Sequence, residues 1–386
     1  MEIYECVLSL ISGIGVFILA MKILSDSLKT LAGEKMKLLL RKISGNRIIG
    51  VIVGALVTIV INSSAATTLM VIGFVNSNMM DLYQASAIII GANIGTTTTG
   101  FLASLESFNI SLFLSLFCFI GVMLAFIKKI KKLANLLIGL GMIFVGLKIM
   151  SSACDDESIK SGFKSVFKKI EFPLLLEFLG TIFTAILQSS TAMTGLVIIM
   201  LSNDAMTMKN ALFITLGANV GTCVVALIGM IGTNINPKRA AIIHLTFNLL
   251  GCIIFTPILW IFTDEIIYLL RGITSKEGIQ IAIFHLFFNC ITAIITTPLI
   301  KYLVNFSKFV IKDKKVNIEE KLLGEEEDDG DILRNGTIFS SLDLNNKDND
   351  KEKIKEEYNI NNTDEEKGEI DVEDCKNTKM TNIKSS

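Results

Sequence analysis

One unusual segment occurs twice in this chain, and that duplication restricts its fold more than any other feature. NSSAATTLMVI begins at Asn62, and GANIGTT follows from Gly91. QSSTAMTGLVI begins at Gln188, and GANVGTC follows from Gly217. Asn62 aligns with Gln188, Ser63 with Ser189, Ser64 with Ser190, Gly91 with Gly217, Asn93 with Asn219 and Thr96 with Thr222. Each pair is 126 residues apart, without a gap. The register reaches upstream through Gly13 and Gly139, Gly15 and Gly141, Lys22 and Lys148, and Gly54 and Gly180. Both copies are polar, glycine-broken interruptions of apolar sequence. Paired interruptions of this kind mark the central site of membrane transporters built from repeats.

The surrounding sequence supports a membrane setting. The chain is 51% hydrophobic with a mean hydropathy of +0.58, and it holds several apolar runs long enough to cross a hydrocarbon core of about 30 Å. The start, MEIYECVLSL, lacks a basic stretch before its apolar run, so the first helix is expected to stay as an anchor. From Asp313 to Ser386 there are 22 acidic and 12 basic residues, against 15 acidic and 24 basic before them. That tail has too little apolar content to offset its ordering entropy and is expected to be mostly disordered, with a short amphipathic helix conceivable around Lys351–Tyr358. The seven cysteines show no C-x-x-C spacing and read as small buried hydrophobes.

The fold class expected is an all-α polytopic membrane protein with two inverted repeats, each holding a re-entrant helical hairpin and a broken transmembrane helix. The first repeat covers 1–132, the second repeat with the C-terminal spans covers 133–312, and 313–386 is the acidic tail. In the first repeat Val7–Leu24 spans, and Ser25–Arg47 is a polar linker. Ile48–Val75 forms a hairpin around Asn62-Ser63-Ser64, Leu82–Leu105 is a span broken at Gly91–Thr96, and Ile110–Ile127 spans. In the second, Leu133–Met150 spans, and a loop covers Ser151–Phe172. Pro173–Leu201 forms the hairpin around Gln188-Ser189-Ser190, Asn210–Ile231 is the broken span, and Ala240–Phe262 and Gly278–Leu303 follow. The last two share His244 with His285, Asn248 with Asn289 and Pro257 with Pro298, at a spacing of 41.

Three crossings per unit would invert the second unit relative to the first. The basic clusters at Lys35–Arg47, Lys128–Lys132, Lys238–Arg239 and Lys301–Lys312 then share one side, expected to be cytoplasmic together with the C-terminus. The lysines of Ser151–Phe172 run against that pattern.

Backbone groups freed by a helix break in lipid are tolerated where they line a protein-enclosed cavity. Helices starting at Ser64 and Ser190 would turn N–H groups and positive dipole ends toward an anion. Amide, hydroxyl and freed carbonyl oxygens suit a hard cation such as sodium. The bland alternatives are hydroxyls bonded to the preceding turn and glycines that only admit close packing. Lys22 and Lys148 lie near span ends and are expected to snorkel to the interface. His244 and His285, each four residues before an Asn, read as structural hydrogen-bonding residues. No carboxylate pair, metal cluster or nucleophile–base set lies within the spans, so an enzyme is not expected.

In these motifs, and in the lead-in LKTLAGEKMKLLLRKI and the two HLxFN helices, the chain resembles the type II sodium-dependent phosphate cotransporter family. The resemblance covers about residues 8–305. It implies a sodium-driven importer of inorganic phosphate in the plasma (inner) membrane, with sodium as coupling ion and no other cofactor. By that resemblance Ser63, Ser64, Ser189 and Ser190 contact phosphate. Asn62, Thr68, Gln188 and Thr194 help to hold sodium. Asn93 and Asn219 on the phosphate side, and Thr96 and Thr222 on the sodium side, shape both sites. The family pattern is roughly QSSSATT; here Asn62 replaces Gln and Ala65 the third Ser, while Thr191 and Met193 depart in the second copy. The partners implied are phosphate, sodium and the bilayer, with no nucleic acid and with homo-oligomerisation open. The alternatives are another oxyanion or proton coupling on the same fold, and a membrane sensor or scaffold acting through the tail.

Overall fold

The computed structural model describes residues 3–41, 46–108, 111–170 and 172–313; the expected tail helix and nearly all of the acidic tail lie outside them. The described residues form helices joined by short turns, with no strand among them. In order these are α1 (Ile3–Arg41), α2 (Arg47–Ile61), α3 (Ser64–Asn76), α4 (Leu82–Ser104), α5 (Ser111–Ala125), α6 (Lys131–Cys154) and α7 (Glu157–Lys169). Then come α8 (Pro173–Leu187), α9 (Ser190–Ser202), α10 (Met208–Gly229), α11 (Ile235–Ile261), α12 (Thr263–Ile273), α13 (Glu277–Thr296) and α14 (Ile300–Val310). Helices α1, α4, α6, α10, α11 and α13 are long and apolar enough to cross a membrane. The all-α polytopic class is therefore as expected.

The hairpin arms α2 and α8 have 15 residues each, and α3 and α9 have 13 each. At about 1.5 Å per residue such arms reach only about 20–23 Å, short of the hydrocarbon thickness. Each pair of arms is joined at the expected polar break. The 126-residue register is structural as well as sequential. Among the described residues, the non-glycine residues with positive φ are Asn62 and Gln188 at the two tips, and Asn78 and Asp204 after the second arms, again 126 apart.

Four expectations are corrected. Ser25–Arg47 is not a linker: α1 runs on to Arg41, because this stretch has no proline and is rich in Leu and Lys, both good helix formers. Two of its hydroxyls are satisfied along the helix, as Ser27 donates to the Ile23 carbonyl at 2.7 Å and Thr30 to that of Asp26 at 2.7 Å. Second, α4 and α10 are continuous through the GAN segments and are not broken helices. The glycines there admit a neighbouring backbone. A Cβ at Gly91 would run into the Val51 carbonyl of α2, and one at Gly95 would lie 2.6 Å from the Ala55 oxygen. Gly217 and Gly221 repeat this against Glu177 and Thr181 of α8. Close packing through small residues is the force that joins helices in lipid.

Third, Gly278–Leu303 divides into α13 and α14 at Thr297-Pro298-Leu299, where proline lacks an N–H and crowds the preceding turn. Its counterpart Pro257 stays inside α11. Fourth, the loop Ser151–Phe172 contains α7, capped by Asp156, whose carboxylate accepts the Ser158 N–H at 3.0 Å. In addition, α5 has 15 described residues, fewer than the span expected there.

Two buried clusters organise the packing. One joins Phe17 of α1, Leu147 of α6, Ile198 of α9, Leu212 of α10 and Phe288 of α13. The other joins Val57 of α2, Val71 of α3, Ile88 of α4, Phe247 of α11 and Val304 of α14. The second arms cross over between repeats: α3 packs against α10, and α9 against α4. That exchange brings the two tips together.

Candidate functional site

Each tip is built by the same local chemistry. At the end of α2, Asn62 adopts a left-handed conformation with φ 55° and ψ 36°, which an Asn side chain tolerates well. Ser63 is extended, and its hydroxyl accepts the Ala66 N–H at 3.2 Å, capping α3 at Ser64. At the end of α8, Gln188 has φ 53° and ψ 25°; Ser189 accepts the Ala192 N–H at 3.2 Å and caps α9 at Ser190. The expected helix starts at Ser64 and Ser190 are therefore those observed.

Both tips face one cavity of about 290 Å³. The first lines it with Asn62, Ser63, Ser64 and Ala65, and the second with Leu187, Gln188, Ser189, Ser190 and Thr191. Thr222 of α10 and a face of α1 complete the wall. The first-turn N–H groups of a helix have no intrahelical acceptor, and each helix start carries roughly half a positive charge. Two such starts in one cavity, with hydroxyls between them, are chemically suited to a small oxyanion.

The two tips are supported unequally. Thr58 donates to Thr67 at 3.0 Å, and Thr67 donates to the Ser63 carbonyl at 3.1 Å, which pins the first tip to its own arm. In the second copy Met193 stands where Thr67 stands in the first. The buried Thr184 hydroxyl, counterpart of Thr58, then has no partner. The Asn62 amide oxygen accepts from Thr99 at 3.2 Å, whereas the counterpart of Thr99 is Val225. Sequence comparison of the copies showed the Met193 departure but not the hydroxyl relay that it interrupts.

Thr68 and Thr194 lie one turn into the second arms, 1% and 2% exposed, and neither hydroxyl has a hydrogen-bond partner. A buried oxygen without a proton donor fits a hard cation, because leaving it unpaired costs free energy. Thr222 donates to the Ala218 carbonyl at 3.0 Å and still reaches the cavity, while Thr96 is buried and not on its wall.

Asn93 and Asn219 occupy a different place. Neither lines the cavity, and both are almost fully buried. The Asn93 amide donates to the Ile89 carbonyl at 2.8 Å. Its oxygen lies 3.3 Å from His244 Nε2 and accepts from Asn248 at 3.3 Å. Asn219 repeats this with the Thr215 carbonyl at 2.9 Å, His285 Nε2 at 2.8 Å and Asn289 at 3.4 Å. These two clamps tie α4 to α11 and α10 to α13. The histidines thus have the hydrogen-bonding role expected of them, but their partners were not foreseen. Sequence reasoning also passed over Glu177, a buried carboxylate on α8 that accepts from Thr256 at 2.6 Å.

The family profile described as Na+/Pi-cotransporter matches residues 16–152 and 159–270, which include both hairpins and both GAN helices. The chain belongs to the Na+/Pi-cotransporter family. Among similar proteins is the "Putative inorganic phosphate export protein YjbB" of Escherichia coli (strain K12), 27% identical over 254 residues. That match takes in 65% of this chain and 46% of the relative, so the chain spans about half the length of the YjbB proteins it matches. "Uncharacterized protein YqeW" of Bacillus subtilis (strain 168) is 26% identical over 248 residues, 63% of this chain and 79% of YqeW. The human "Sodium-dependent phosphate transport protein 2B" is 32% identical over 91 residues, 23% of this chain and 13% of its own. No solved structure matches. As a member of this transporter family the protein is not an enzyme, and its helices make it a multi-pass membrane protein.

Proposed function

We propose that this Na+/Pi-cotransporter family member is a secondary active transporter that imports inorganic phosphate with sodium, binding both between its two hairpin tips. The observation that carries the reading is the convergence of two capped helix starts, at Ser64 and Ser190, on one cavity. In this reading Ser63, Ser64, Ser189 and Ser190 hold the phosphate oxygens. Thr68 and Thr194, with the amide oxygens of Asn62 and Gln188 and the hydroxyl of Thr222, are the sodium side. Asn93 and Asn219 act from behind by fixing α4 and α10, and Thr96 belongs to the same buried support. The units 1–132 and 133–312 are taken as inverted repeats that rock about the tips, with the C-terminus in the cytoplasm of a cell whose inner membrane holds the protein.

The inward sodium gradient sets the direction in this proposal. A second reading, phosphate export, is favoured by the name of the YjbB relatives. Proteoliposomes holding purified protein distinguish them. Import predicts that labelled phosphate accumulates only when sodium is high outside, and saturates with phosphate. Sodium-independent flux would contradict the coupling, and absence of any phosphate flux would contradict the substrate.

A further inference from the structure

The tips carry no fixed positive charge, and the third wall of the cavity belongs to neither hairpin. It is the face of α1 that bears Lys22, Ser25, Asp26 and Lys29. Lys22 lies close to the end of the apolar run Val7–Leu24, but α1 continues beyond it to Arg41. It lies midway along the 39-residue α1, about 28 Å from either end at about 1.5 Å per residue. Its side chain borders the cavity. Lys29 and Asp26 pair at 3.1 Å and largely cancel. Among the described residues Lys22 has no ion pair, so this wall keeps about one unit of positive charge.

Ser25, one turn along, gives the independent observation. It is 6% exposed, it lines the cavity, and its hydroxyl has no hydrogen-bond partner. A buried hydroxyl left unpaired costs free energy that a ligand can recover. The duplicate copy shows what the ordinary state looks like. Ser151, 126 residues on, has its oxygen taken by the Asn203 amide at 3.2 Å, and neither Ser151 nor Lys148 lines the cavity.

We propose that Lys22 and Ser25 of α1 form a third, unduplicated element of the anion site, with the ammonium and the hydroxyl binding phosphate oxygens that the two tips leave free. This rests on the transport reading above. It makes the site asymmetric and gives it an ion pair with the phosphate, which neutral serines cannot supply. Part of its effect should also be long-ranged attraction, which is screened by salt.

The test uses full-length protein in proteoliposomes, with initial phosphate uptake measured over phosphate and sodium concentration. Lys22→Gln should raise the half-saturating phosphate concentration about ten- to hundredfold, with the sodium midpoint little changed. Lys22→Arg should stay within about threefold of wild type. Ser25→Ala should raise the phosphate midpoint about ten- to hundredfold. Lys148→Gln should behave as wild type. Adding choline chloride should weaken wild type more than Lys22→Gln. If Lys22→Gln fails to insert, Ser25→Ala still decides the matter. Wild-type phosphate affinity in Lys22→Gln or in Ser25→Ala would overturn the α1 assignment alone. Wild-type vesicles that take up no phosphate would instead overturn the transport reading on which it stands.

Discussion

At the scale of single residues, the site is a set of hydroxyls and peptide N–H groups whose partners are missing or turned toward one cavity. Ser64 and Ser190 are 7% and 4% exposed and begin the two inner arms. If each places a donor on the anion, Ser64→Ala and Ser190→Ala should each weaken apparent phosphate affinity. A hydrogen bond to a charged ligand is worth roughly 1.5–3 kcal/mol, or about ten- to hundredfold. Surface abundance of the variants, checked in the same cells, should match wild type. Unchanged phosphate midpoints in both would remove these serines from the site. The tip residues were legible in the sequence for a physical reason: polar residues in the middle of an apolar run must cap something or bind something. The Asn93–His244–Asn248 clamp was not legible, because it joins a motif of one period, 126 residues, to a motif of another, 41 residues. The pairing of two different repeats is a property of the packing alone.

At the scale of elements, the hairpins and spans were legible from hydropathy, while the state of the GAN segments was not. A glycine-rich stretch in an apolar helix reads equally as a break or as a contact surface. Here the contact surface prevails, since Gly91 and Gly95 lie against α2 as Gly217 and Gly221 lie against α8. Likewise the polar stretch after Leu24 read as a linker, yet its residues are strong helix formers and carry α1 past the cavity. The packing argument makes its own prediction. Gly91→Ala and Gly217→Ala should each destabilise the protein by at least the roughly 1–3 kcal/mol of an overpacked contact, because the obstructing atoms are backbone. Melting in detergent should show this as a loss of several degrees. Gly73→Ala, whose added methyl meets open space, is the matched control and should melt like wild type. Equal melting of all three would mean that the close approach of α2 to α4 is not what holds the hairpin.

At the scale of the whole molecule, the account combines one duplication with one asymmetry. The duplication places two like tips at one cavity; the asymmetry lies in Met193, Val225 and the α1 wall. If the repeats are inverted, Asn46 and Phe172, the equivalent residues that open the two hairpins, face opposite sides of the membrane. Single cysteines there, in a background cleared of native thiols, should react with an impermeant reagent from opposite sides. Reaction of both from one side would leave the duplication intact and end the inverted arrangement. The central claim, that both tips hold one phosphate, is tested most directly by protection of Ala65→Cys and Thr191→Cys, equivalent wall positions 126 residues apart. The modification rate of each single cysteine by a small thiol reagent would be measured against phosphate concentration with sodium present. The account predicts that phosphate slows both, with the same half-protecting concentration. Protection of only one tip, or of both at clearly different concentrations, would contradict a shared site.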